Sequence, residues 1–213
     1  MMEAWAVVVA GGTGTRFGAP KQFAELGGRP LIAWSLAAAR RSCAGVVLVL
    51  PAGASPDAWD ADTVVAGGAT RSQSVRAGLA AVPETAEIIA VHDAARPLAR
   101  PDLWTAVLDA VAAGADAAIP AAAVTDTVKE VAPDGHLVTL DRSRLVAVQT
   151  PQAFRAAVLR RVHLAGIDAT DDASLVEAAG GRVVLVDGPL DNLKVTSRLD
   201  LVVAAALVSS VQS

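Results

Sequence analysis

The chain has 213 residues, enough for one domain with a full core and short for two. Its net charge of −4 excludes a basic footprint for nucleic acid or an anionic membrane surface, so any anion it holds must meet a local cluster of cations. Hydrophobic residues make up 53% and aromatic ones only 3%, with no Tyr, so the core is built of small aliphatic side chains, and the single Cys43 excludes an intrachain disulfide and a multi-cysteine metal site.

Taken in chain order, a strand over residues 4–10 (AWAVVVA) leads into a glycine-rich loop and a helix over 30–41. Strands follow at 45–50 and 62–66, a helix at 71–81, a strand at 87–92 and a helix at 101–113, where Pro101 followed by Asp102 marks the start. A strand at 115–121 precedes helices at 155–164 and 171–179, then a strand at 181–187 and a helix at 197–208. The strand runs are continuous rather than alternating, as in strands buried on both faces, and they alternate with helices. The expected fold is α/β: a doubly wound, mostly parallel, Rossmann-like sheet in a single domain.

One segment breaks this rhythm. Residues 124–148 (VTDTVKEVAPDGHLVTLDRSRLVAV) place two alternating, β-branched stretches around a Pro-Asp-Gly turn, which predicts an inserted β-hairpin arm. A two-stranded ribbon is marginal alone, and a second copy of the chain is the expected support.

Cys43 sits in an apolar helical stretch and is expected to be a buried thiol. The apolar runs at the start and at Leu199 to Val208 are too short to span a bilayer, and the first lacks a basic start and a cleavage site. A soluble cytoplasmic protein with no membrane partner is expected.

Ligands of open α/β sheets bind beyond the carboxyl ends of the strands, which directs attention to VVVAGGTGTRFGAPKQF, residues 7–23. Bare backbone N–H groups there can form a nest for phosphate oxygens, with Arg16 and Lys21 as cations beside it. The loop is neither a Walker loop nor a good dinucleotide fingerprint, and an ordinary glycine-rich turn with two solvated cations stays open. Of 18 basic residues only three are lysines, Lys21, Lys129 and Lys194. Two of them fall in loops after strands, which suggests that a point charge matters there. The strand ending in AVHDAARP (90–97) places Asp93 at the sheet's carboxyl edge, suited to Mg²⁺ that takes its other ligands from phosphates. A structural pair of Asp93 with Arg96 over a core His92 is the competing reading. Together these parts suit nucleotidyl transfer, in which catalysis consists of positioning two anions and neutralising the transition state.

The loop AGGTGTR followed by PK resembles the signature loop of nucleotidyltransferases that activate sugars and alditols. With GGATRSQSVRAGL (67–79), VHDAARP (91–97), TDTVKEV (125–131), LDR (140–142), QTPQAF (149–154), TDDAS (170–174) and NLKVT (192–196), essentially the whole chain is similar to the 2-C-methyl-D-erythritol 4-phosphate cytidylyltransferase family.

The resemblance implies that Ala10, Gly11, Gly12 and Gly14 wrap the triphosphate of CTP, that Arg16 and Lys21 stabilise charge at the α-phosphate, and that Gly68 and Ser74 lie against the cytosine. It implies that Asp93 and Ala94 face the ribose and the Mg²⁺-bound phosphates with Arg96 alongside, and that Lys194 bridges the triphosphate and the incoming phosphate. Thr127 and Arg142, from the hairpin, would hold the phosphorylated polyol in a neighbouring subunit's site, making the partner a second copy in a homodimer with exchanged arms. Gly11 stands where many relatives have Ala, and Ala69 replaces a polar residue that in some relatives holds the ribose. The alternatives are a ribitol-5-phosphate cytidylyltransferase, with nearly the same motifs, and a non-catalytic nucleotide-binding module.

Overall fold

A computed structural model describes residues 2–11, 17, 21–56 and 59–212, without side chains at 210–212. In chain order the elements are β1 (Ala4–Val9), β2 (Glu25–Leu26), β3 (Arg29–Pro30), α1 (Leu31–Ser42), β4 (Gly45–Leu50), β5 (Thr63–Ala66), α2 (Arg71–Ala81), β6 (Ile88–Asp93) and α3 (Pro101–Ala112). They continue with β7 (Ala117–Ala123), β8 (Lys129–Val131), β9 (Leu137–Thr139), β10 (Val146–Val148), β11 (Gln152–Arg155), α4 (Ala156–Leu164), α5 (Asp172–Ala178), β12 (Val183–Asp187) and α6 (Arg198–Gln212).

The sheet runs β7-β11-β6-β1-β4-β5, with β10 and β12 also paired to β7. Parallel pairing joins β6, β1, β4 and β5, and also β7 to β12. The antiparallel strand β11 joins the two parallel blocks, opposing β6 on one side and β7 on the other. The α/β fold with a mostly parallel sheet is therefore present, with a reversed strand that the sequence reading left out. Residues 152–155 follow Pro151 and are too few to show a period.

Every residue of β4 is buried, as its unbroken GVVLVL requires. Along β1, Val7 packs with Val75 and Leu79 of α2, Leu159 of α4 and Val176 of α5 on one face. Its neighbours Ala6 and Val8 pack with Ile32 and Leu36 of α1 and Trp104 of α3 on the other. Each such Leu, Ile or Val contributes about 1.5–3 kcal/mol on burial. Gly78 sets the approach of α2, because a Cβ there would lie 2.4 Å from Val7 Cγ1. Two helix starts are capped by side chains: Thr70 caps α2 by accepting from the Gln73 amide at 3.1 Å, and Asp171 caps α5 by accepting from the Ser174 amide at 3.2 Å.

The hairpin is smaller than 124–148. Strands β8 and β9 pair only from Lys129↔Thr139 to Val131↔Leu137, with Gly135 at φ 86° in the turn. Residues 146–148 instead leave the ribbon and pair with β7 as β10. Both ribbon strands are exposed along their length, Val131 at 68% and Leu137 at 60%. Among the described residues no helix is long and apolar enough to cross a membrane. Cys43 is half-buried, and desolvation pushes its thiol up to about 12.

Candidate functional site

The carboxyl ends of β1 and β6, with the β5–α2 junction, open onto a cleft of about 310 Å³. Ala10 and Gly11 follow β1, Lys21 stands in the next turn, Gly68 and Ser74 flank the start of α2, and Asp93 and Ala94 end β6. Lys194 closes the ring from the segment before α6. Eight residues expected from scattered motifs thus share one cavity, while Gly12, Gly14 and Arg16 lie outside the described residues.

Asp93 is the electrostatic centre. Its Oδ2 accepts from Lys194 Nζ at 2.6 Å, and its Oδ1 accepts from Arg71 Nε at 3.4 Å. Burial opposes the charged carboxylate, but the Arg71 guanidinium and Lys194 ammonium outweigh it and hold the carboxyl well below the usual range. The competing expectation of an Asp93–Arg96 pair is corrected here, since the carboxylate pairs with Arg71 and Lys194. Arg71 was missed as a site residue. One signal was available: a cation in the first turn of a helix stands against the helix dipole, and so calls for a carboxylate elsewhere to hold it.

The turn carrying Asp93 is fixed from below. His92 Nε2 donates to Arg96 O at 3.1 Å, which leaves Nδ1 to accept from the Thr150 hydroxyl at 3.1 Å. Thr150 Oγ1 in turn accepts from the Asp93 amide at 3.0 Å. The ring is fully buried, and desolvation lowers its pKa to about 4. Arg96, expected alongside the substrate, turns to the carbonyls of Asn192 at 2.7 Å and Val148 at 3.2 Å. Asn192 Nδ2 donates to Gln149 Oε1 and to Thr150 O. The QTPQ and NLK motifs therefore latch to each other and set the backbone from which Lys194 reaches the cleft.

On the α2 side the wall is narrow. Ser74 Oγ accepts from the Gly68 amide at 3.2 Å and donates to Thr70 O at 3.0 Å. A Cβ would come 2.7 Å from that oxygen at Gly67 and 3.1 Å at Gly11. Ala69 directs its amide to Gln73 Oε1 at 2.8 Å.

Thr127 and Arg142 are not brought to this cleft within the chain. Both are exposed, and Arg142 donates to Thr125 O and lines a separate cavity with Val124 and Asp187. Among the described residues no group of three or more His, Cys, Asp or Glu is placed to hold a metal. The donor set fits a hard cation that uses one carboxylate, Asp93, and takes its other ligands from bound phosphates.

The family model for 2-C-methyl-D-erythritol 4-phosphate cytidylyltransferase matches residues 4–210. Proteins of that name from Streptomyces coelicolor and Rubrobacter xylanophilus are each 44% identical, over 96% and 99% of this chain and 84% and 96% of theirs. The crystal structure of the enzyme of that name from Thermus thermophilus superposes with a TM-score of 0.83 at 38% identity, covering 97% of this chain and 98% of that one.

Proposed function

The chain belongs to the 2-C-methyl-D-erythritol 4-phosphate cytidylyltransferase family, and from that premise we propose that its cleft transfers CMP from CTP to 2-C-methyl-D-erythritol 4-phosphate. The products are 4-diphosphocytidyl-2-C-methyl-D-erythritol and pyrophosphate. The observation that carries this reading is the Lys194–Asp93 ion pair in a cavity that Ala10, Gly11 and Lys21 also line.

In the reaction an oxygen of the acceptor phosphate attacks the α-phosphorus of CTP, and the bond to the bridging oxygen of the β-phosphate breaks. Ala10, Gly11, Gly12 and Gly14 would cradle the triphosphate, with Arg16 and Lys21 beside the α-phosphate. Lys194 would leave Asp93 for the two phosphates it must hold together, and charge accumulating on them strengthens that contact in the transition state. Asp93 stays anionic throughout and retains Arg71. Asp93 is the residue that would hold Mg²⁺, which would supply positive charge beside the phosphates. The narrow wall at Gly67, Gly68 and Ser74 suits a pyrimidine, and Ala94 would face the ribose. Arg96 would act through the backbone it braces.

The acceptor half of the site would come from a second subunit, whose Thr127 and Arg142 grip the methylerythritol phosphate. The exposed Val131, Leu137 and Val146 of the hairpin region, with Leu185 of β12, support a homodimer joined by these arms. A cytoplasmic setting agrees with the thiol chemistry of Cys43.

Pyrophosphate release measured with CTP, Mg²⁺ and either polyol phosphate tests this reading. Turnover is expected with 2-C-methyl-D-erythritol 4-phosphate, and equal or faster turnover with ribitol 5-phosphate would overturn it.

A further inference from the structure

Arg71 lines the cleft, and its guanidinium is held at two points. Its Nε reaches Asp93 Oδ1 at 3.4 Å, and its Nη1 reaches Asp172 Oδ2 at 2.8 Å. The other oxygen of Asp172 accepts from His163 Nε2 at 2.9 Å. The Asp172 and His163 side chains are 1% and 3% exposed, so this carboxylate lies in the interior and reaches the cleft only through Arg71.

Stability alone is a poor account of such a group. Removing a carboxylate from water costs several kcal/mol, and a well-packed apolar residue in the same space is often as stable or more so. Arg71 is equally ill suited to its place, because it opens α2 against the helix dipole and its Nη2 is buried with no partner among the described residues. Both costs become intelligible if the guanidinium must occupy one position beside Asp93.

We propose that Asp172, backed by His163, is a positioning residue that fixes Arg71 against Asp93, so that Asp93 keeps a counter-charge when Lys194 departs for the substrate phosphates. This rests on the nucleotidyl-transfer reading of the cleft. The segment carrying Asp172 is itself fastened to α2. Ser72 Oγ donates to Ala169 O at 3.2 Å and accepts its amide at 3.0 Å, and Arg76 holds Ile167 O and the Asp168 carboxylate. Anchor and guanidinium are thereby tied to one helix, and the TDDAS motif acquires a role through Asp172.

The test is a double-mutant cycle on CTP turnover, using Arg71→Ala, Asp172→Asn and the pair, together with the Nε–H resonance of Arg71 in ¹⁵N-labelled, ligand-free protein. Each single change is expected to lower kcat/KM by about 10- to 100-fold with the same division between kcat and KM, and the double variant to fall no more than about threefold below Arg71→Ala. The Arg71 resonance, assigned by its loss in Arg71→Ala, should be sharp in the parent and broadened by solvent exchange in Asp172→Asn. Losses that multiply, or a resonance that stays sharp in Asp172→Asn, would overturn the proposal. If Asp172→Asn does not fold, His163→Gln takes its place, with an expected loss of about three- to tenfold that vanishes in the Arg71→Ala background. A parent protein inactive toward CTP would count against the nucleotidyl reading, while the resonance still decides the positioning.

Discussion

Lys194 Nζ lies 2.6 Å from Asp93 Oδ2, so the cation reaching over the cleft is already neutralised by the carboxylate at its floor. An incoming phosphate must compete for it. Lys194→Gln is expected to lower kcat by about 10²- to 10³-fold while changing the KM for CTP much less, the mark of a contact made chiefly in the transition state. Steady-state kinetics at saturating acceptor check this, and a loss confined to KM would assign Lys194 to ground-state binding.

Acid should weaken the fold through His92. Its folded pKa of about 4 lies below the ordinary value near 6.5, so the unfolded chain takes up a proton that the folded chain refuses. The resulting stability is fully present above pH 6.5 and disappears as pH falls towards 4, an amount of about 3 kcal/mol. Asp93, whose pKa is shifted down, keeps its contribution throughout that window and loses it only below about pH 4. Urea unfolding at pH 7, 5.5 and 4.5 should show the decline, with a flatter profile for His92→Asn, which is itself less stable at pH 7.

The narrow wall beside Ser74 can be tested by adding single methyl groups. At Gly67 a Cβ would sit 2.7 Å from Ser74 Oγ and 3.2 Å from Val49 Cγ1. Gly67→Ala should therefore cost about 1–3 kcal/mol and raise the KM for CTP. At Gly11 the approach is 3.1 Å, and among the described residues beyond its chain neighbours Ser74 Oγ is the only atom nearer than 3.9 Å. Gly11→Ala should be milder in both respects, and thermal unfolding with CTP titration would rank the two.

If the arms cross between subunits, Arg16→Ala and Arg142→Ala proteins, each nearly inactive, regain part of the activity when mixed and allowed to exchange. A mixture as inactive as its parents would place both residues in the site of one chain.

Much of this was readable from the chain because it depends on local pattern. Unbroken apolar runs marked the parallel strands, and Arg71 to Ala81 was delimited as a helix by its own spacing. Cleft residues at strand ends were legible because glycines, Lys21 and Asp93 stand where such sheets bind anions. The partner of Asp93 was not, because Arg96 is near in sequence whereas Arg71 and Lys194 are brought in by tertiary contacts 22 and 101 residues away. The hairpin was overestimated for a related reason: the alternation of Val146 and Val148 suits either a ribbon or a strand on β7, and only the pairing of the whole sheet decides between them.

The reversed strand β11 also orders events in time. On a ribosome, β1, β4, β5 and β6 can assemble as soon as residue 93 has emerged, yet the open edge of β6 has no neighbour until Gln152–Arg155 arrives. For that interval a buried-type strand presents unpaired amides and carbonyls to its surroundings. The closing contact spans about 60 residues, so completion of the sheet is expected to be the slow step of folding, and truncations ending between 93 and 151 to be the forms that aggregate.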